Sequence, residues 1–438
     1  MGKIKEYVLL NIILPITDLT FHTGLPKWYR QLSRMQKWTP SQIEDWQNQK
    51  LRDLIKDAYQ YSPYYRQLFD SLSITPEFIR TKQDLEQIPP LTKEIIREHF
   101  DDIVLKGKRG LSYRYCSTGG STGNPTKYIK DNNSWGFINA FTVLRWKDVG
   151  YHYGDKLLAL GSSSIFPTTK KSVLHDLYYG LKGKIPFNAM NLSDERLHEC
   201  VEILKRKRIH YIYGYASSIY LLAKYVEDHH LETSLEIRAC FPTSEILTDV
   251  YRETMERVFR CPVSDMYGAH DGGIIAHKIA GAYKVGYNCI VQTEVPGEVG
   301  PAYLTDVTNN AFPFIRYQLG DEVEVGEGYN GFYNGEILNK VVGRTSDVIR
   351  LENGRVLTGP GFTILFSKLP VRGYRIYKSG PLQITIEIVK DEAFTNQDEQ
   401  LVMDTMNKHA GAECEIIIKF VEQVQTRSNG KNLFFINS

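Results

Sequence analysis

Cysteine is scarce and scattered. Cys116, Cys200, Cys240, Cys261, Cys289 and Cys414 form no C-x-x-C pair, which argues against a disulfide framework and for a reducing, cytoplasmic compartment. Long apolar runs are lacking as well. The strongest, residues 7–17, is interrupted by Asn11 and Pro15 and followed by Asp18, so it is too short to span a bilayer. No small-residue cleavage site of a secretory signal follows it, and Glu6 stands where a myristoylation motif wants Ser or Thr. We read it as a packed N-terminal helix, with peripheral docking at the inner face of a membrane as the second use of such a segment. An excess of one charge is also missing. The 53 Lys and Arg residues against 51 Asp and Glu leave +2, which gives no electrostatic footprint for nucleic acid. The basic run Lys205-Arg-Lys-Arg208 closes a predicted helix, where cations complement the dipole. There is no internal repeat and no low-complexity tract.

What is present is an ordinary soluble composition. Of 438 residues, 42% are apolar and 24% charged, enough for a sizeable core and, at this length, for more than one domain. Leu51, Leu54, Ile55 and Ala58 recur at helical spacing and predict an amphipathic helix over 42–60. Another is predicted over 134–149, with Ser134 as N-cap and Gly150 as the stop. Residues 156–160 read as a buried strand, 211–213 as a short strand leading into Gly214, and 263–266 as a strand ending at Tyr267-Gly268. Between them, Ser193-Asp-Glu opens a helix with Leu197, Val201 and Leu204 on one face. A further helix runs from Thr248 with Tyr251, Met255 and Phe259 on one side. Alternating strands and helices indicate an α/β core with ligand loops at the strand ends. After residue 342 the pattern changes. Ile384, Ile386 and Ile388 alternate with polar residues, Asn396 caps a helix containing Leu401 and Met406, and 415–421 is a second strand. We expect an α/β fold with a large domain over 1–342, helical over 1–90, and a small α+β domain over 343–438.

Residues 117–127 carry the strongest chemical signal: Ser117, Thr118, Gly119, Gly120, Ser121, Thr122 and Gly123, then Asn124, Pro125, Thr126 and Lys127. Glycine tolerates positive φ, so consecutive N–H groups can converge into a nest for phosphate oxygens. Hydroxyls and Lys127 add donors. The natural ligand of such a loop is a nucleotide phosphate. It is not a P-loop, which needs G-x-x-x-x-G-K-[ST]: the residue five after Gly119 is Asn124, and Lys127 follows Thr126. Taken alone, the run also suits a Gly/Ser-rich surface turn.

Four more segments accompany it. They are Pro242-Thr-Ser-Glu245; Tyr267-Gly-Ala-His-Asp271; Thr305-Asp-Val-Thr-Asn, continuing through Pro313-Phe-Ile-Arg-Tyr317 to Gly320-Asp321; and Gly343-Arg-Thr-Ser-Asp347. Arg427-Ser-Asn-Gly-Lys431 lies near the C-terminus. In this order and spacing they resemble the adenylate-forming acyl/aryl-CoA ligase superfamily. The nearest branch is the phenylacetate-CoA ligase-like one that includes capsular polysaccharide biosynthesis proteins. The resemblance covers nearly the whole chain and extends upstream to Trp46-Gln47 and Ala58-Tyr-Gln-Tyr-Ser-Pro-Tyr-Tyr65. It implies a large adenylate-forming domain and a small mobile domain turning about a hinge at 343–347. It implies ATP-dependent activation of a small-molecule carboxylic acid as an acyl-adenylate, with pyrophosphate released and Mg²⁺ required. The acyl group then passes to coenzyme A, a carrier-protein pantetheine, or an amine or sugar acceptor.

The resemblance also implies roles. Ser117 to Lys127 hold the β- and γ-phosphates, Tyr267 with Gly268 packs against adenine, and Ser244 and Glu245 line the base. Asp321 accepts from both ribose hydroxyls, Arg344 reaches the ribose or phosphates, and Lys431 bridges the acid and the α-phosphate, where an ammonium neutralises developing charge. Asp271 falls where the family usually has a magnesium-binding glutamate. It is one methylene shorter, and a hard cation still accepts it. Ser346 occupies the position of the usual hinge aspartate, while Asp347 keeps the second acidic position. Tyr215, Ala216 and Ser217 are candidate walls of the acid pocket, with apolar area from Phe137 and Phe141, and His270 or Lys127 meeting the carboxylate. His270, His277 and Cys289 lie near one another in sequence, where some relatives bind zinc, but the spacing supplies no paired ligands. Asp271 and Ser346 motivate a second reading, a catalytically impaired nucleotide-binding relative that acts as an assembly or partner-binding protein. A sugar-nucleotide enzyme is a third, and none of the five segments favours it.

Overall fold

Residues 157–161 read Leu-Leu-Ala-Leu-Gly, and a strand apolar at every position is stable only with both faces covered. In the computed structural model this stretch is the strand Leu157–Gly161, buried throughout. The structure describes residues 2–117, 126–161, 180, 182–189, 192, 194–269, 271–279, 281–326, 333–344, 348–353, 356–358, 365–366, 369–422, 424 and 435–436. Lys184–Asn188, Leu157–Gly161, Tyr211–Tyr215, Ala239–Thr243 and Asp265–Ala269 lie side by side in parallel. From Asp265–Ala269 the same sheet continues in antiparallel fashion through Gly273–Lys278, Tyr283–Val285, Ile337–Arg344, Tyr317–Val325, Val299–Asp306 and Cys289–Gln292. Asp265–Ala269 is thus the strand at which pairing changes sense. The carboxyl ends of the parallel strands share one edge, the edge at which ligands bind in open α/β sheets.

The crossover helices Asp194–Lys207, Ala216–Asp228 and Asp249–Phe259 bury Leu197, Val201, Leu204, Ile219, Val226, Met255 and Phe259 together. The expected polarity of the first is present, with Asp194 and Glu195 in its first turn and Lys205, Arg206 and Lys207 in its last; Ser193 lies outside the described residues. Helix Pro40–Tyr61 turns Leu51, Leu54, Ile55 and Ala58 into the core that holds Phe312, Phe314 and Tyr317. Among the described residues, no helix is long and apolar enough to cross a membrane.

Two caps differ from expectation. Helix Asn132–Lys147 is capped by Asp131, whose carboxylate accepts from the Asn133 N–H at 2.8 Å. A carboxylate suits the positive end of the dipole, and this leaves Ser134 free to donate to Asp306 at 2.8 Å. Helix Asn396–Ala410 is capped by Thr395 in a reciprocal box with Asp398. That helix packs Val402, Met406 and Ala410 on Ile384, Ile386 and Ile388 of strand Gln383–Lys390. The strand lies in a separate four-stranded sheet with Glu415–Phe420, Val371–Gly380 and Phe435–Ile436. The chain therefore has a large N-terminal domain and a small C-terminal one, each with its own core.

Candidate active site

The glycine-rich run joins two strands. Tyr113–Ser117 pairs antiparallel with Lys127–Asp131, and Ser117 and Lys127 are the last register partners before the connection. Both ends of the loop are therefore pinned to one hairpin. Thr118, Gly119, Gly120, Ser121, Thr122 and Gly123 lie outside the described residues, as do His270, Ser346, Asp347 and Lys431. Lys127 is exposed at the start of its strand.

At the carboxyl edge of the parallel strands, the register sets Tyr215 beside Thr243, and Thr243 beside Met266. The segments around Tyr215, Ser244 and Tyr267 are thereby brought to one place. Ser244 has a φ of 67°, a left-handed conformation that turns the chain sharply after strand Ala239–Thr243. Glu245 then accepts from the Ser217 N–H at 2.7 Å. Ser217 lies in the first turn of Ala216–Asp228, whose N-cap Tyr215 makes no side-chain cap bond. Glu245 thus caps that helix from the neighbouring strand end and complements its dipole. Ala216 is fully buried.

Asp265–Ala269 and Tyr317–Val325 are not neighbours in the sheet, yet two hydrogen bonds join the first strand and the turn that follows it to the second. The Tyr267 hydroxyl donates to Asp321 Oδ2 at 3.0 Å. The Tyr317 hydroxyl donates to Asp271 Oδ2. Each pair takes its tyrosine from one segment and its aspartate from the other, four residues further along, so the bonds are reciprocal. All four residues are buried. Burial first, and then the facing carboxylate, push both phenols well above the ordinary tyrosine range, which keeps them as donors. Asp271 Oδ1 also accepts from the Gly272 N–H at 3.3 Å. Backbone pairing sets Arg344 beside Asp321.

Gly268 makes the turn possible. A β-bulge falls between Tyr267 and Gly268, and a Cβ at Gly268 would come within 2.4 Å of the Gly273 carbonyl oxygen. Gly273, at φ +70°, closes the turn that carries Asp271, and a Cβ there would lie 3.4 Å from Lys130 Nζ. Lys130 is buried on strand Lys127–Asp131, with Nζ 5.6 Å from the Trp135 ring centre. Burial is the main cause that holds its pKa below the usual lysine value. Sequence reasoning did not single out Tyr317 or Lys130. Tyr317 stood within a quoted motif four residues before Asp321; for Lys130, a charged residue in an otherwise buried strand was the available signal.

Other candidates lie in packing. Phe137 and Phe141 belong to an aromatic cluster with Trp28 and Tyr287; the Phe137 and Trp28 ring centres are 4.9 Å apart. Gln47 donates to the Tyr287 and Cys289 carbonyls at 2.9 and 3.3 Å. Asp306 gathers Ser134, Asn288 and Thr308. His277 and Cys289 are buried, and the described residues contain no group of three or more His, Cys, Asp or Glu that could hold a metal ion. If Asp271 held magnesium, as the resemblance implies, the ion would have one carboxylate among these described residues. This fits an ion that keeps several waters and takes substrate phosphates beside one or two carboxylates.

Comparison with known proteins finds both relatives and a shared fold. The CapK C-terminal domain family matches residues 370–438. Protein CapK of Staphylococcus aureus is 22% identical over 424 residues, which cover 94% of this chain and 92% of that protein. Phenylacetate-coenzyme A ligase of Pseudomonas putida is 21% identical over 344 residues, covering 73% and 74%. Among solved structures, 2-hydroxyisobutyryl-CoA ligase in the postadenylation state superposes with a TM-score of 0.68 at 14% identity, over 93% of this chain and 92% of that one.

Proposed function

We propose, from the homology of this chain to CapK and to the phenylacetate-coenzyme A ligases, that it is an ATP-dependent adenylate-forming ligase. Its fold is that of adenylate-forming CoA ligases. The observation that carries the reading is the reciprocal pair of Tyr–Asp bonds at the carboxyl edge of the parallel strands. It links in one hydrogen-bonded unit the two carboxylates that this reading assigns to the nucleotide sugar and to the phosphates, Asp321 within its strand and Asp271 in the turn after Asp265–Ala269.

In this reading an acid carboxylate oxygen attacks the α-phosphorus of ATP. The bond from that phosphorus to the bridging oxygen breaks, and pyrophosphate leaves with the electron pair. Asp321 accepts from the ribose hydroxyls, Tyr267 and Gly268 flank adenine, and Ser244 and Glu245 line the base. The hairpin loop from Ser117 to Lys127 holds the β- and γ-phosphates. Arg344 and Lys431 bring positive charge to the transferring group, where charge develops. Asp271 would hold magnesium, which when bound supplies charge neutralisation at the phosphates. In this reading Lys130, buried next to the Gly273 turn, would offer a cation to the acid carboxylate. The small domain then turns about 343–347, and a thiol, amine or sugar nucleophile attacks the acyl carbon and expels AMP. Coenzyme A or a carrier-protein pantetheine is the thiol of choice. The likeness to CapK supports a place in surface-polysaccharide biosynthesis, and the free cysteines support the cytoplasm.

One observation favours a second reading. Tyr317 and the Gly272 N–H already engage both oxygens of Asp271, which suits a relative that binds nucleotide without turnover. An ATP–pyrophosphate exchange screen over carboxylic acids separates the two. Exchange that depends on an acid and is lost in Lys431→Ala supports the ligase. Tight ATP binding with no exchange on any acid supports the second reading.

A further inference from the structure

The N-terminal twenty residues form one helical run, Gly2–Val8, a π-helical turn Leu9–Ile13, and Leu14–Phe21. One side of it packs. Leu9, Leu10 and Leu14 sit with Leu25, Val143 and Tyr153, while Glu6 accepts from Lys147 at 3.1 Å and pairs with His152 at 2.9 Å. The other side carries Ile4, Tyr7, Ile12, Ile16 and Leu19, which are 74%, 65%, 50%, 62% and 75% exposed. Isolated apolar residues on a surface are ordinary, but five along one helix form a stripe that marks an interaction site.

The charge around this stripe identifies its partner. The first forty residues hold six Lys and Arg against two carboxylates, while the rest of the chain holds 47 against 49. The positive balance of the protein therefore comes from this end. Both carboxylates are used internally: Glu6 as above, and Asp18 as acceptor for the Thr23 hydroxyl at 2.6 Å and the Gly24 N–H at 2.9 Å. Lys27, Arg30, Arg34 and Lys37 are exposed and form no ion pair among the described residues. Arg30, Arg34 and Lys37 line an open cleft of about 480 Å³ with Leu10, Asn11 and Trp38, directly beside the helix. A helix with one apolar face and a basic border lies in the plane of an anionic bilayer, with its apolar side in the headgroup boundary. A second copy of the chain would bring the same basic border and be repelled.

We infer that this face docks the protein on an anionic lipid surface. The test is co-flotation of the full chain with phosphatidylcholine vesicles, with and without phosphatidylglycerol. Wild type floats with the anionic vesicles, and rising salt releases it. Ile16→Glu with Leu19→Glu weakens binding at least tenfold; Arg30→Glu with Arg34→Glu and Lys37→Glu weakens it roughly hundredfold. All five positions but Ile16 and Leu19 lie in the basic border, and none touches the strand ends. Unchanged melting curves show that the variants fold. Equal binding to neutral and anionic vesicles overturns the inference, as does binding to neither. A dimer whose formation is abolished by the Ile16 and Leu19 changes, without vesicle binding, also overturns it and assigns the stripe to self-association.

Discussion

Tyr267→Phe removes a single oxygen from the candidate site. The ring stays, the volume hardly changes, and the sole direct loss is the 3.0 Å bond to Asp321. Both partners are buried, at 8% and 7% exposure, so water does not readily replace the phenol. A hydrogen bond to a charged group contributes about 1.5–3 kcal/mol, and leaving a buried group under-bonded costs a similar amount. Tyr267→Phe should therefore lower unfolding free energy by about 1–3 kcal/mol, read by urea denaturation. Asp321→Ala strips the same bond from the other side, so the two changes should couple by at least ~1 kcal/mol in a double-mutant cycle. Nucleotide affinity separates the residues. If Asp321 accepts from both ribose hydroxyls, Asp321→Ala loses two such bonds and weakens AMP binding by roughly a hundredfold, about 2.7 kcal/mol. Tyr267→Phe leaves the carboxylate for the ribose and shifts affinity by less than about tenfold. Calorimetric titration with AMP needs no knowledge of the acid. Equal AMP affinity in wild type and Asp321→Ala would falsify the ribose role, and a coupling energy near zero would remove the bond from the account.

Gly268→Ala places a methyl 2.4 Å from the Gly273 oxygen and 2.9 Å from Ile274 Cα; the turn bearing Asp271 must move, and overpacking costs about 1–3 kcal/mol of stability, visible as a lower melting temperature together with weakened nucleotide binding. A variant as stable as wild type would show that the bulge is not needed. His277 is buried, and burial, then the nearby Arg145 charge, pull its pKa from 6.5 down to about 3. The unfolded chain takes up the proton that the native state refuses, so stability is full above pH 6.5 and declines as pH falls towards 3, by on the order of 5 kcal/mol. Denaturation of His277→Gln across that window should show a flatter profile, and a slope identical to wild type would assign the acid sensitivity elsewhere.

Much of the fold was legible because its signals are local. The helical spacing of Leu51, Leu54, Ile55 and Ala58, the alternation of Ile384, Ile386 and Ile388, and the helix start at Thr248 each arise within one element. They appear in Pro40–Tyr61, Gln383–Lys390 and Asp249–Phe259. Boundaries were less legible. The predicted 263–266 strand runs instead as Asp265–Ala269, because Val263 meets Cys240 only through an isolated bridge while Asp265 to Ala269 pair continuously with the next strand. The Ser134 cap moved to Asp131 because Asp306, far along the chain, claims the serine hydroxyl. Likewise Phe137 and Phe141, which from sequence suit a pocket wall, face Trp28 and Tyr287.

The sequence by itself determined the order of the motifs, the alternation of strands and helices, and the residue types at the candidate site. Those properties depend on neighbours along the chain and on side-chain chemistry. Only the tertiary structure decided that Tyr267 meets Asp321 while Tyr317 meets Asp271, and that Glu245 caps a helix beginning near Ser217. It also decided that Lys130 is buried beside Gly273, and that one side of the N-terminal helix stays uncovered. The physical reason is range. Each of these contacts joins residues far apart in sequence, and no periodicity records which distant donor will satisfy a buried acceptor until the sheet brings them within about 3 Å.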